Sequence, residues 1–192
     1  QGEGRSQGLP AVFVRLAGCN LDCKWCDTRY AREGGTEIPC SEISRAISAF
    51  PGSRICISGG EPLLQGDQLL PLLENLHRKG YRTEIETNGT IDFRPFQPYA
   101  SICMDVKCPS SGEASDLSLL PHISGEDSVK FVVSDCDDCK FAERVMTTYP
   151  IRGEIFFSPV YGSKYGAIAD FLLERNLPVR LQIQLHKIIG VR

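Results

Sequence analysis

Cys19, Cys23 and Cys26 lie in the stretch Leu16-Ala-Gly-Cys-Asn-Leu-Asp-Cys-Lys-Trp-Cys-Asp-Thr28. The spacing is C-x3-C-x2-C, directly after a predicted strand and in a loop too short for a helix. Three thiolates so close repel one another unless a cation neutralises them, and thiolates are the ligands of iron–sulfur clusters. A structural zinc site wants four ligands and usually closes with a second paired motif. Three ligands with no fourth nearby leave one metal position open to an exogenous group. The alternatives are three buried cysteines acting as small hydrophobes, or a zinc site that borrows a distant cysteine or histidine.

The remaining thiols carry less information. The chain has nine cysteines, an odd number that fits a full disulfide framework poorly. Cys136-Asp-Asp-Cys139 opens a predicted helix, where thiolates are stabilised. With Cys103 and Cys108 it could form a second four-cysteine site, although the pairs are unequally spaced and the aspartates oppose thiolate formation. Asn88-Gly-Thr90 fits a glycosylation pattern but reads as a turn in a cytosolic-looking chain. No phosphate-binding loop, zinc-protease motif or nucleophile elbow occurs.

Strands are predicted over 11–17, 54–58, 82–87, 101–107, 128–134, 154–159 and 179–186, and helices over 41–50, 67–79, 136–148 and 165–175. Alternating strands and helices argue for βαβ units and a parallel sheet. Ser41, Asp67 and Asp135 are predicted to cap the first three helices. Several strands have one polar face: Arg15 opposes Val12, Val14 and Leu16; Glu84 and Glu86 oppose Thr83, Ile85 and Thr87; Cys103, Asp105 and Lys107 oppose Ile102, Met104 and Val106. In the last strand Arg180, Gln182, Gln184 and His186 oppose Leu181, Ile183 and Leu185. Parallel sheets covered on both sides are apolar on both faces, yet helices suffice here for one side. The economical fold is an incomplete, open parallel α/β barrel with helices outside and the polar face lining a ligand cavity. A mixed sheet with one solvated face is the alternative.

The 192 residues suit a single domain spanning 1–192, and a chain of this length buries roughly 70% of its unfolded surface without disulfide staples. With 42% hydrophobic and 23% charged residues the balance is globular, and a net charge of -3 leaves no electrostatic footprint for nucleic acid. The longest apolar runs are strand-sized, so no membrane span is expected, and no signal peptide opens the chain. A cytoplasmic protein is predicted. The chain starts at Gln1 rather than methionine, so upstream residues are expected to be missing.

The cysteine loop, followed by Ser58-Gly-Gly-Glu-Pro62 at the end of the second strand, resembles the radical S-adenosylmethionine (SAM) superfamily. The resemblance implies a [4Fe–4S] cluster on Cys19, Cys23 and Cys26, with SAM chelating the fourth iron and cleaved to a 5′-deoxyadenosyl radical. Gly59 and Gly60 would let the backbone approach a ligand closely and Pro62 would stiffen the exit. Trp25 matches an aromatic position near adenine, or else anchors the loop. A narrower resemblance covers nearly the whole chain. Gln1-Gly-Glu-Gly4, Pro10 to Asn20, Cys26-Asp-Thr28, Glu86-Thr-Asn-Gly-Thr90 and Gln184-Leu-His-Lys187 are similar to the 7-carboxy-7-deazaguanine synthase family. That family converts 6-carboxy-5,6,7,8-tetrahydropterin to 7-carboxy-7-deazaguanine with loss of ammonia, using SAM and Mg2+ in 7-deazapurine (queuosine and archaeosine) biosynthesis.

Carried over to this chain, the resemblance gives Gln1, Gly2 and Glu3 to the pterin ring. A carboxylate can accept both N–H groups of a 2-aminopyrimidinone edge; the alternative is a Gly-rich turn with an exposed acid. Arg15 matches the ligand of the substrate carboxylate, on an inward face where an unpaired guanidinium is costly, unless it pairs with Glu84 or Glu86. Thr28 matches a Mg2+ ligand, with a loop cap as the alternative. Ser58 matches a substrate contact and Gly60 a SAM contact. Asp105, Val106 and Lys107, and Ser158, Pro159, Val160 and Tyr161, fall on two further SAM-binding segments at strand C-termini. Many relatives carry Ser-Pro-Lys in place of Asp-Val-Lys. A ring contraction expelling ammonia needs proton transfers, for which Glu86 and His186 are candidates, both inward by parity; His186 could equally be a wall residue. Arg192 matches the position whose terminal carboxylate reaches substrate. The resemblance also implies a homodimer and a reductant such as flavodoxin or ferredoxin. Rival readings are an activase that places a glycyl radical on a partner protein, and a zinc-stabilised binding module.

Overall fold

The polar and apolar alternation of the strands divides one sheet into two faces. The computed structural model describes residues 1–190. Seven strands, β1 (Val12–Leu16), β2 (Arg54–Gly59), β3 (Arg82–Thr87), β4 (Ser101–Lys107), β5 (Ser128–Val133), β6 (Glu154–Pro159) and β7 (Arg180–Leu181), pair in sequence order, all parallel. With β1 and β7 each paired on one side, the sheet is an open α/β partial barrel.

Ile57, Ile85, Met104, Val106, Phe131 and Phe157 project outward and pack with Leu69, Leu72 and Leu76 of α2 (Gly66–Arg78), Val145 of α3 (Cys136–Thr148) and Ile168 of α4 (Tyr165–Arg175). Helix α1 (Cys40–Ser48) adds Ile47. No α-helix covers the crossovers from β3 to β4 and from β4 to β5. Short 3-10 turns there bring Phe96, Leu119 and Leu120 onto the outer face instead. The inward face keeps the polar set: Glu84 beside Cys56, Glu86 beside Cys103, and Asp105 beside Lys130.

Three expectations are corrected. Helix α1 is entered from Pro39, whose carbonyl accepts from the Glu42 and Ile43 N–H groups, so Ser41 lies inside the helix. Helix α2 grows out of a 3-10 turn, Pro62–Gln65, that Glu61 caps, which leaves Asp67 in its first turn rather than at its cap. Asp135 does cap α3, accepting from the N–H groups of Asp137 and Asp138.

The third correction concerns the end of the chain. Regular pairing stops at Leu181 and residues Leu185–Ile189 form a short helix, α5. The competing partner is the N-terminal segment. The Gln182 side-chain amide clamps Gly4, accepting from the Gly4 N–H (2.8 Å) and donating to the Gly4 C=O (2.9 Å), and Leu185 N–H donates to the Gly2 carbonyl at 3.1 Å. The Gln182 backbone N–H still donates to Phe157 of β6, but beyond it the Ile183 carbonyl accepts from Gln7 and the Leu185 N–H goes to Gly2, so strand parity does not govern His186. Among the described residues no helix is long and apolar enough to cross a membrane.

Candidate active site

At the C-terminal ends of the strands lies a cavity of about 320 Å³, lined by Cys19, Cys23 and Cys26 on one side and by Glu3, Ser58, Glu86, Asp105, Lys107 and Lys130 on the other. Close backbone packing sets the cysteine loop. Gly60 N–H donates to the Leu16 carbonyl (2.9 Å) and Glu61 N–H to the Gly18 carbonyl (2.8 Å). A Cβ on Gly60 would stand 1.9 Å from the Gly18 oxygen, and one on Gly59, at φ +131°, 2.1 Å from the Leu16 oxygen. These glycines therefore admit backbone against backbone, a different reason from the close approach to a ligand expected above. From the far side Lys24 N–H donates to the Ser111 carbonyl at 2.9 Å, and Trp25 Nε1 to the Ser110 hydroxyl at 3.0 Å.

At the inner end of the cavity, Lys130 Nζ and Gln184 Nε2 each donate to Glu3 at 2.7 Å. Glu86 accepts from the Ser58 hydroxyl (2.8 Å) and from Gln1 Nε2 (2.9 Å). Gln1 Nε2 also meets Cys56 Sγ at 3.2 Å and Glu84 at 3.3 Å, so one amide nitrogen sits among three acceptors. Burial, with the Glu86 charge adding to it, pushes the Glu84 carboxyl up to about 7. Lys107 donates to Asp105 at 2.6 Å and lies 5.5 Å from the Trp25 ring centroid. At the rim Asp27 accepts from the Thr28 hydroxyl (3.0 Å), faces Lys187 Nζ at 3.0 Å and His186 Nε2 at 3.6 Å. Its carboxyl is held well below the usual carboxylate range, first by His186 and then by Lys187 and Thr28 against the effect of burial.

Comparison with known proteins places this arrangement. The Radical SAM superfamily matches residues 14–101. A 7-carboxy-7-deazaguanine synthase of Methanospirillum hungatei is 50% identical over 191 residues, covering 100% of this chain and 82% of that protein. The chain belongs to the 7-carboxy-7-deazaguanine synthase family. A protein of the same description from Koribacter versatilis is 36% identical, over 98% of this chain and 92% of its own. The crystal structure of QueE from Escherichia coli superposes with a TM-score of 0.78 at 26% identity, over 97% of this chain and 90% of that one. Streptococcus suis SuiB shares the fold alone, with a TM-score of 0.68 at 13% identity. The relatives make the chain a radical SAM enzyme of lyase type, and favour neither the activase nor the zinc module.

Family membership implies a [4Fe–4S] cluster and SAM, and the residues present fit them. Three thiols reach one cavity, and the three-residue group of closely spaced candidate metal ligands found among the described residues is elsewhere, at Cys56, Glu84 and Glu86. Asp105 Oδ1, in the cavity wall, is buried without a hydrogen-bond partner, as is Ser158 Oγ on a residue that does not itself line the cavity. Such orphaned acceptors are costly unless a ligand satisfies them. Cys108, Cys136 and Cys139 pack in or against the outer core while Cys103 faces the barrel interior beside Glu86, so the four do not face one site; burial raises the thiol of Cys139 to about 12, and those of Cys103 and Cys108 further.

Of the other anticipated residues, Trp25, Thr28, Gly60, Val160 and Tyr161 line the cavity. Gln1 lies behind Glu86, and Gly2 supports the strap, where a Cβ would meet His186 Nδ1 at 2.4 Å. Glu3 is buried, which removes the exposed-turn alternative. Trp25 both anchors the loop and borders the cavity. Thr28 occupies a cap position without capping, its hydroxyl going to Asp27. Val106 points its side chain outward into the core and does not line the cavity, unlike its neighbours Asp105 and Lys107. Pro159 is buried opposite Val133, on the outward register. Arg15 is exposed on the edge strand, stacked 5.0 Å over Phe13, so no cost of burial applies and neither Glu84 nor Glu86 pairs with it. His186 is on α5 and touches the cavity through Asp27 rather than from a strand face. Arg192 falls outside the described residues.

Sequence reasoning passed over Asp27, Asn88 and Lys130. Asp27 was visible as the residue between two proposed metal ligands. Asn88, which lines the cavity, donates to Asn20 Oδ1 at 2.9 Å and comes within 4.0 Å of Cys19 Sγ. Lys130 stood out as the lone charge within an otherwise apolar strand, Val129 to Val133.

Proposed function

We propose that this single-domain enzyme converts 6-carboxy-5,6,7,8-tetrahydropterin to 7-carboxy-7-deazaguanine with loss of ammonia. The observation that carries the reading is that Glu3, a buried carboxylate held from two sides, borders the same cavity as the three cysteines. Membership of the family supports it.

Cys19, Cys23 and Cys26 would hold the cluster. Asp105, Lys107, Ser158, Val160, Tyr161, Trp25 and the backbone at Gly60 and Val106 would hold SAM. When bound and reduced, the two together supply a carbon radical that takes a hydrogen atom from substrate. Residues of the chain do the rest. Glu3 accepts the two N–H groups of the pterin's 2-amino edge, with Gln1 and Gly2 shaping the adjacent wall. Ser58 hydrogen bonds Glu86 and fixes it as the group that takes or returns a proton. Arg15, free at the barrel's open edge, is placed to meet the substrate carboxylate as it enters. The Thr28 hydroxyl, with the Asp27 carboxylate beside it, offers hard oxygen to Mg2+, and substrate and water complete the shell. His186 and Lys187 keep Asp27 anionic.

The reductant is a small one-electron carrier such as flavodoxin or ferredoxin, and the nine free thiols suit a reducing cytoplasm. Exposed Leu181, Ile183, Ile188 and Ile189 near the chain end suit pairing into a homodimer. An anaerobic assay with the pterin, SAM, Mg2+ and dithionite tests the reading. It should release ammonia and form the deazaguanine acid in equal amounts, and Arg15→Ala should slow both. SAM cleavage without ammonia release would overturn it.

A further inference from the structure

Four carboxylates crowd the barrel interior: Glu3, Glu84, Glu86 and Asp105. Two lysines answer them. Lys107 is committed to Asp105 at 2.6 Å. Lys130, 5% exposed and inward on β5, bonds Glu3 at 2.7 Å. Burial opposes its charge, but the carboxylates of Glu3, Asp105 and Glu86 outweigh that and hold its pKa well above the ordinary lysine value.

What Lys130 does to Glu3 follows from counting lone pairs. An ionised carboxylate offers about four acceptor positions and no donor. Lys130 takes one on Oε2 and Gln184 one on Oε1, leaving each oxygen free to accept once more. Two adjacent acceptors match two adjacent N–H donors, the 2-amino and N3–H groups of a 2-amino-4-oxopyrimidine edge. They reject an edge that presents a carbonyl at position 2. The match holds only while Glu3 is ionised. A carboxylate with 8% exposure and only the neutral Gln184 to hold it would favour its protonated form, whose O–H is a donor.

We propose that Lys130 is a positioning residue that sets ring-edge specificity: by pairing with Glu3 it keeps that carboxylate an acceptor only, so that the cavity selects 2-amino over 2-oxo heterocycles. The inference rests on the pterin reading above and adds to it the residue that enforces the choice.

The test is equilibrium binding, measured by anaerobic calorimetry on the full-length, cluster-loaded protein with SAM present, using 6-carboxypterin and its 2-oxo counterpart 6-carboxylumazine. The wild type should prefer the pterin by at least about tenfold, because a site built to bond N–H groups pays for unpaired acceptors. Lys130→Met should bring the ratio to within about threefold of unity, whereas Lys130→Arg should retain most of the preference. Glu3→Gln should lose the preference too, and Lys130→Met added to it should change the ratio no further. If Lys130→Met fails to fold, Lys130→Gln, which keeps a hydrogen-bond donor and removes the charge, carries the same comparison. Equal weakening of both ligands with the ratio intact would show a merely structural lysine and overturn the proposal. Equal binding of both by the wild type would overturn it while leaving the pterin reading standing. Binding of neither would sink the pterin reading, and this inference with it.

Discussion

The Asn88 backbone N–H donates to the Glu61 carboxylate at 2.6 Å. That bond joins the Gly-Gly-Glu-Pro turn after β2 to the end of β3. The same carboxylate accepts from the Thr87 hydroxyl at 2.8 Å and the Leu63 N–H at 3.0 Å, and it is fully buried. Burial outweighs these bonds and raises its pKa. Glu61 thus acts as a bracket behind the cysteine loop, although its motif reads as part of a ligand site.

Replacing Glu61 by Ala leaves three donors without an acceptor. Each orphan costs roughly 1–3 kcal/mol, so a loss of at least about 3 kcal/mol is expected in urea unfolding. Because Asn88 also holds Asn20, next to Cys19, the variant should retain less iron after anaerobic reconstitution. A loss below about 1 kcal/mol would show that water replaces the bracket.

Gly60→Ala tests the backbone packing directly. The added methyl meets the Gly18 carbonyl oxygen, a group fixed by its own bond from Glu61. The loop must shift to admit it, and three thiols that must converge on one cluster do not tolerate shifts well. Iron bound per chain should fall at least about twofold although no ligand is changed, as read by iron and sulfide analysis. Full iron loading would mean the loop adapts freely.

How much of this was legible before the structure turns on which partner each residue meets. Alternation along β2 to β6 has one dominant cause, helices on one side and a polar cavity on the other, so Ile85 against Glu86 and Met104 against Asp105 were readable from order alone. The chain end was not. Gln182 to His186 alternates like a strand, but the Ile183 carbonyl and the Leu185 N–H are taken by Gln7 and Gly2, contacts between residues nearly the whole chain apart. Arg15 alternates correctly too, yet it lies on an edge strand where inward does not mean buried. Cysteine spacing named the loop; that Glu3 is buried and paired with Lys130 depends on tertiary contact that local pattern does not encode.

Glu84 gives the protein a pH dependence of definite sign. Its carboxyl titrates at about 7 in the folded protein against an ordinary 4.5. Between those values the native state holds a proton that the unfolded chain has released, so stability falls as pH rises through this window and the loss is complete above it. At ~1.4 kcal/mol per pH unit, the penalty at pH 8 is on the order of 3 kcal/mol. Glu84→Gln removes it. The variant should be more stable than wild type at pH 8 by about that amount, with the gain gone at pH 4.5, as followed by urea midpoints. A gain that persists at pH 4.5 would trace to packing instead of charge.

Arg15 separates function from stability. Exposed and stacked on Phe13, it contributes little to the fold, and Arg15→Ala should change unfolding free energy by less than about 0.5 kcal/mol. In the proposed reaction it meets the substrate carboxylate through a charge-assisted bond, worth about 1.5–3 kcal/mol, so KM should rise by roughly 10-fold to 100-fold. Arg15→Lys keeps the charge without the planar fork and should recover only part of the loss. The contrast is sharpest with a substrate analogue lacking the carboxylate, which the wild type and Arg15→Ala should bind alike. If the variant weakens both ligands equally, the guanidinium does not read the carboxylate.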